Sequence, residues 1–363
     1  MKILHLTISS EIGGGPEHIS QLIQGVSDRY EAHVACPDVG DYYVKFLKLT
    51  SNRVTLIPHR KFSFIALYKL IRYIRYNHIE LLHSHGKGAG FYCRLINIFV
   101  KIPSVHTPHG INKKIEKGFI NQIYIHFERF FEFLITSIIF VSKSEAAYAK
   151  KLCIWDNVPF VVINNGTKII PERDINNWRT KVRQDLNCIN RKIVITASRF
   201  DFQKNTIEFC EIASKLPGFY FVILGVGIEK NKCEVFCAKH NIINILFAGN
   251  VSNPIQYFAA SDLYLSTARW EGLSMAILEA MSVGLPVVAT RVLGNIDLVE
   301  PLKTGFLYEI GNIDEAVNYI KTAFSSKFYI NLSKKSKIIH NERFSSASMC
   351  ELTMNLYDKI LMK

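Results

Sequence analysis

Short apolar runs recur along the chain, separated by stretches in which apolar residues fall at helical spacing. In the first half the runs lie at 2–8, 32–36, 54–58, 81–85, 104–107, 137–142 and 161–163. In the second half they lie at 192–197, 219–224, 245–248, 263–266 and 286–289. Strands that alternate with helices predict parallel sheets, so the pattern predicts α/β architecture in two doubly wound halves. The ligand crevice is expected where loops leave the carboxyl ends of the strands. Residues 1–167 form the first predicted domain and 191–345 the second, with the polar stretch 168–190 as an irregular linker. A closing helix is expected over about 347–362, within a terminal segment 346–363.

Length agrees with two domains, since 363 residues are enough for two ordinary cores. No apolar run approaches the roughly 20 residues of a membrane span. The start, MKILHLTI, is too short and polar for a signal peptide and reads as a buried first strand. The eight cysteines contain no CxxC pair, which argues against a zinc cage or redox motif. Cys233 and Cys237 stand at i, i+4 without clustered histidines and read as reduced structural thiols of a cytosolic protein. No internal repeat is present.

Charge changes the picture more. Between Tyr42 and Ile115 thirteen Lys and Arg face only Glu80, which accounts for +12 of the chain's net +13. Arg60, Lys61, Arg72, Arg75, Lys113 and Lys114 belong to this segment, interleaved with Phe62, Phe64, Tyr68, Tyr73 and Tyr76. Such a surface suits nucleic acid, an acidic glycan or an anionic membrane. No nucleic-acid motif accompanies it, so no nucleic-acid partner is expected. The run 119–134, FINQIYIHFERFFEFL, reads as core packing in preference to a membrane-surface helix, because Glu128 and Glu132 would repel anionic lipid.

The densest chemistry lies at 266–300, STARWEGLSMAILEAMSVGLPVVATRVLGNIDLVE. If 274–282 is helical, Glu271 stands at the helix mouth and Glu279 about two turns further on, near the same face. A helix start offers free N–H groups and partial positive charge, which suits a diphosphate. One carboxylate is then placed for sugar hydroxyls and the other for a ribose.

This Glu-x7-Glu segment resembles the signature of retaining glycosyltransferase family 4, whose members have the GT-B fold, with two Rossmann-like domains facing across a cleft. Further motifs follow in the family's order: Gly13-Gly14-Gly15-Pro16-Glu17-His18, His106-Thr107-Pro108-His109-Gly110, Ile163-Asn164-Asn165-Gly166 and Ser198 to Asn205. The resemblance implies that Gly14 and Gly15 form a loop approached by the donor diphosphate. It implies that Arg199 and Lys204 stabilise the leaving nucleoside diphosphate as electrostatic catalysts. Glu271 contacts donor-sugar hydroxyls, with the amides of Gly272, Leu273, Ser274 and Met275 near the phosphates and sugar. Glu279 takes the ribose, Gly225, Asn250 and Val251 line the nucleotide, and His109 faces the donor sugar. The closing helix crosses back to the first domain. Gly225-Val226-Gly227 replaces the family's usual Gly-Asp-Gly, and Leu293–Asp297 stands where many members carry Gly-Gly and a glutamate.

The implied reaction moves a sugar with retention from a UDP-sugar, HexNAc (GalNAc or GlcNAc) or hexose, to a polyprenyl-diphosphate-linked saccharide of O-antigen or capsule. No Asp-x-Asp occurs, so no metal and no cofactor beyond the nucleotide-sugar are expected. The family places the acceptor on the first domain, so the basic surface is expected to rest peripherally on the anionic inner face of the cytoplasmic membrane. A GDP-sugar transferase, a nucleotide-sugar 2-epimerase of the same fold and a non-catalytic sugar-binding subunit are the competing readings. An epimerase would need its own acid and base carboxylates, and a binding subunit would not need Arg199 and Lys204.

Overall fold

A computed structural model describes residues 1–26, 29–111 and 119–362. They form two units, Met1–Gly166 with Ser346–Lys363, and Thr167–Ser345.

In the first unit the order is β1 Lys2–Leu6, α1 Gly14–Val26, β2 Glu31–Cys36, α2 Asp41–Leu49, β3 Val54–Leu56, α3 Phe64–Asn77 and β4 Leu81–His85. Then come α4 Lys87–Phe99, β5 Ser104–Thr107, α5 Phe119–Phe130, β6 Ser137–Phe140, α6 Lys143–Lys151 and β7 Phe160–Val162. All seven strands are parallel, in the order β3-β2-β1-β4-β5-β6-β7. The order reverses between β1 and β4, so the loops after these strands diverge and leave a crevice.

The second unit begins with α7 Glu172–Asp185, then β8 Ile193–Ala197, α8 Thr206–Ser214, β9 Tyr220–Leu224, α9 Lys230–Lys239, β10 Ile245–Gly249 and α10 Pro254–Ala260. It continues with β11 Leu263–Ser266, α11 Met275–Ser282, β12 Val287–Thr290, α12 Asn295–Leu298, β13 Gly305–Tyr308, α13 Ile313–Ala323 and α14 Tyr329–Arg343. Its parallel sheet has the order β10-β9-β8-β11-β12-β13, with the reversal between β8 and β11.

Each predicted strand is present, because runs such as Ile193–Ile195 and Phe221–Ile223 are wholly buried under helices on both faces. Two readings need correction. The stretch 168–190 is not an irregular linker: α7 packs on α10, and Arg179 and Arg183 both pair with Asp262. Its polarity misled because those two arginines point inward. The sixth strand, β13, was not foreseen, since Gly305 and a flanking turn interrupt its short apolar run. Only glycine fits at 305, where a Cβ would lie 1.7 Å from the Val287 carbonyl oxygen.

The last helix, α15 Ser346–Leu361, belongs to the first unit. Met349, Cys350, Leu356 and Tyr357 pack with Leu22 and Val26 of α1 over Ile3, Leu81 and Val105. Along this face of the sheet the strands run from hydrocarbon to imidazole. Ile3 and Leu81 are register partners, and His5 and His83 are the partners two residues on. His85 pairs in register with Thr107.

The basic segment is not a single charged face. Arg94 is fully buried and pairs with buried Glu128, which also accepts from Trp155 Nε1 at 2.8 Å. Glu128, read in the sequence as a carboxylate that would repel lipid, is a core partner, while Ile123, Phe130 and Phe133 are exposed. Arg60, Lys61, Arg72 and Arg75 are exposed, and Arg60 pairs with Glu11 at 2.9 Å. Lys113 and Lys114 lie outside the described residues. Among the described residues no helix is long and apolar enough to cross a membrane.

Candidate functional site

In the second unit the loops leaving β8, β9, β10, β11 and β12 converge at the carboxyl edge of the sheet. Ser198 N–H donates to the Leu224 carbonyl at 2.9 Å, and Gly225 N–H to that of Gly249 at 2.7 Å. Gly225 has φ +131, and a Cβ there would lie 2.0 Å from the Ser198 carbonyl oxygen. Glycine is thus required where the β8 and β9 loops touch. Asn250 and Val251 follow β10, the first exposed and the second half-buried.

The principal finding is a charge pair across the switch point. Lys204, after β8, donates through Nζ to Glu271 Oε1 at 2.5 Å, after β11. Both side chains are largely buried, at 18% and 9% exposure, so the pair is shielded from bulk water. Local bonds fix the two loops. Lys204 N–H donates to Asp201 Oδ1 at 3.0 Å, Thr267 Oγ1 to the Lys204 carbonyl at 2.9 Å, and Arg269 N–H to the Gln203 carbonyl at 2.8 Å. Arg199 is exposed, held by Asp201 at 3.1 Å and Gln203 at 3.2 Å.

Gly272, Leu273 and Ser274 lead into α11, with Met275 its first residue. The Ser274 hydroxyl caps the helix by accepting from Ile277 N–H at 3.4 Å. Gly294, with φ +81, lies against this turn, and a Cβ there would sit 2.6 Å from the Gly272 carbonyl oxygen. Glu279 is half-buried within α11. Glu271 and Glu279 both bear on Tyr264. Burial, reinforced by the two anions, raises its phenol above the ordinary range. The arrangement therefore offers one cation, two carboxylates and a helix start to a polar ligand.

In the first unit Gly14 and Gly15 form the first turn of α1 and do not adopt positive φ, so their contribution is the missing side chain. A Cβ at Gly15 would stand 4.0 Å from His109 Cδ2, which places the glycines beside the imidazole. His109 has φ +58, an uncommon conformation for a non-glycine residue, and Gly110 follows at +110. Buried Glu145, in the first turn of α6, fixes this turn by accepting from Gly110 N–H at 2.5 Å and Val141 N–H at 2.9 Å.

Sequence reasoning missed the histidines around His109. His18 meets His109 edge-on at 4.8 Å, and His85 stacks on it at 5.4 Å. Burial, and repulsion from neighbouring imidazoles, holds His83, His85 and His109 well below the usual range. Burial depresses His5 to about 3 and His18 to about 4. All are therefore neutral at physiological pH. His-Ser-His in a strand run was the available signal, since i and i+2 share one face.

Two trios, His5-His83-His85 and His18-His85-His109, bring ligand atoms within 4.8 Å of one another. His83 spends Nδ1 on Tyr357 OH at 2.5 Å and Nε2 on Thr107 Oγ1 at 2.8 Å. His85 spends both nitrogens on His5 and His109, each at 3.1 Å. A metal in either trio would have to break bonds that already satisfy the buried rings.

A family model described as glycosyltransferase family 4 matches residues 12–169, and one described as glycosyl transferases group 1 matches residues 179–343. An Escherichia coli UDP-Gal:alpha-D-GlcNAc-diphosphoundecaprenol alpha-1,3-galactosyltransferase is 26% identical over 341 residues, covering 86% of each chain. The Escherichia coli O-antigen biosynthesis glycosyltransferase WbnH is 26% identical over 319 residues, covering 86% of this chain and 87% of its own. The crystal structure of Anabaena HepE in complex with UDP and glucose superposes with TM-score 0.86, at 21% identity and 99% coverage of both chains.

Proposed function

The chain belongs to the family 4 glycosyltransferases of GT-B fold, and on that premise we propose that it moves a hexose from a UDP-sugar to a polyprenyl-diphosphate-linked saccharide of a bacterial surface polysaccharide. The Lys204–Glu271 pair at the β8/β11 switch point carries this reading. A relative named for UDP-Gal and a GlcNAc-diphosphoundecaprenol acceptor supports both substrates, and favours a hexose over a HexNAc as the transferred sugar.

Lys204 shares its ammonium between Glu271 and the departing diphosphate, whose charge grows as the glycosidic bond breaks. Arg199, exposed and paired with Asp201 and Gln203, adds to this. Glu271 accepts from donor-sugar hydroxyls, Glu279 from the ribose, and the amides of Gly272, Leu273, Ser274 and Met275 meet the phosphates. Gly225, Asn250 and Val251 line the nucleotide, Gly14 and Gly15 leave room for the diphosphate, and His109 contacts the transferred sugar. Transfer with retention proceeds on one face of the sugar. The anomeric carbon–phosphate oxygen bond breaks as the acceptor oxygen bonds to that carbon, and the acceptor proton passes to the departing phosphate. No metal takes part, because Lys204 and Arg199 supply the compensating charge.

The exposed stripe of α3, with Phe64, Ile65, Tyr68, Arg72 and Arg75, provides peripheral attachment to anionic lipid. Calorimetric titration with UDP in EDTA tests the donor site. Binding by the parent and its loss in Lys204→Ala support the reading, whereas equal binding by both contradicts the assigned role.

A further inference from the structure

His5, His85 and His109 form one hydrogen-bonded file. His5 Nδ1 meets His85 Nε2 at 3.1 Å, and His85 Nδ1 meets His109 Nε2 at 3.1 Å. A neutral imidazole has one N–H and one lone pair. The file therefore has two self-consistent registers: all three rings protonated at Nδ1, or all three at Nε2. His85 cannot change tautomer without both neighbours changing too.

The ends of the file differ. At the inner end His5 Nε2 is buried and has no hydrogen-bond partner among the described residues. The all-Nε2 register would leave an N–H orphaned there, and orphaned buried N–H groups are rarer than unpaired acceptors. At the outer end His109 is partly open, and either form of its Nδ1 is tolerated. His83 lies outside the file, since Tyr357 and Thr107 occupy both its nitrogens.

We infer that His5 and His85 are positioning residues that hold His109 as the Nδ1–H tautomer, so that it presents a hydrogen-bond donor to a sugar oxygen. This rests on the reading that His109 faces the transferred sugar, and deepens it: His109 is a donor and not a general base. The file also ends blind. A second proton on His5 would place an imidazolium in the core, and burial with repulsion from His18 holds that ring at about 3. The histidines thus orient His109 without carrying protons away from it.

Long-range proton–nitrogen NMR on histidine-labelled full-length protein reads each tautomer directly, with His109 assigned from the spectrum of His109→Asn. The inference expects Nδ1–H at His109 in the parent. His5→Met replaces the inner donor by a sulfur that can only accept, and should switch His109 to Nε2–H, lowering kcat by roughly tenfold or more with donor KM little changed. His5→Asn keeps a donor near the Nδ1 position and should restore both tautomer and kcat. Nε2–H at His109 in the parent overturns the inference, as does a His5→Met protein with unchanged tautomer and kcat. The parent spectrum stands even if His5→Met fails to fold. Separately, full activity in His109→Ala would overturn the sugar-facing reading while leaving the parent's tautomer measurement intact.

Discussion

Lys204 and Glu271 are 67 residues apart, and their 2.5 Å contact depends on two strand ends meeting at a reversal of sheet order. The family resemblance singled out both residues but not their pairing, which needs the β8–β11 neighbour relation. The pair couples the donor sugar to its leaving group, so Lys204→Ala and Glu271→Ala should each lower kcat by roughly 100- to 1000-fold. Circular dichroism should show an intact fold in both variants. Steady-state kinetics giving losses under about fivefold in each would remove the pair from the mechanism. Arg199 was drawn from the same motif, yet it sits exposed on Asp201 and Gln203. Its identity was legible in the sequence, whereas its place in the unliganded site was not.

At the scale of elements, the strands were readable because parallel strands covered on both faces are short continuous apolar runs. Inward-pointing charge was not readable. Arg94 on α4 was counted with the basic surface and Glu128 on α5 was read only as a charge that would repel lipid, and they meet in the core because β5 follows β4 in the sheet. Removing one partner strands the other, so Glu128→Ala should cost roughly 3–5 kcal/mol in denaturant unfolding, while Arg94→Leu with Glu128→Leu should cost much less. Equal losses in the single and double variants would mean that the pair is not what holds α5. The surface of α3 behaves differently. Ala66, Leu67, Leu70 and Ile74 face the core, which leaves Phe64, Tyr68, Arg72 and Arg75 outward. Charge reversal at Arg72 and Arg75 should weaken sedimentation with anionic vesicles in low salt, and much less in high salt. Vesicle binding that ignores both salt and substitution would rule out electrostatic attachment through this helix.

Across the whole molecule the imidazoles set a limit on acid stability. His5, His18, His83, His85 and His106 are buried, and burial lowers each below the ordinary value near 6.5. The unfolded chain then binds more protons than the folded one as pH falls below about 6.5. The stability these groups allow is fully present above that pH and is lost on acidification, at roughly 1 kcal/mol per pH unit for each histidine. Urea midpoints should therefore be flat from pH 8 to 7 and fall steeply below about 6, and a midpoint unchanged down to pH 5 would contradict the buried neutral cluster. The two-unit α/β plan was visible in the repeating pattern of the chain. The histidine layer was not, because it is assembled from β1, α1, β4 and the turn after β5, and only the folded sheet brings those elements together.

Nucleotide release reads out sugar transfer to a lipid-diphosphate saccharide. UDP- and GDP-sugars would be supplied singly, in EDTA, with and without a synthetic polyprenyl-diphosphate-GlcNAc acceptor. UDP release is expected from one UDP-hexose only when the acceptor is present, with an α-linked product in its NMR spectrum. Release that ignores the acceptor, that requires a restored divalent metal, or that yields a β-linked product would contradict it.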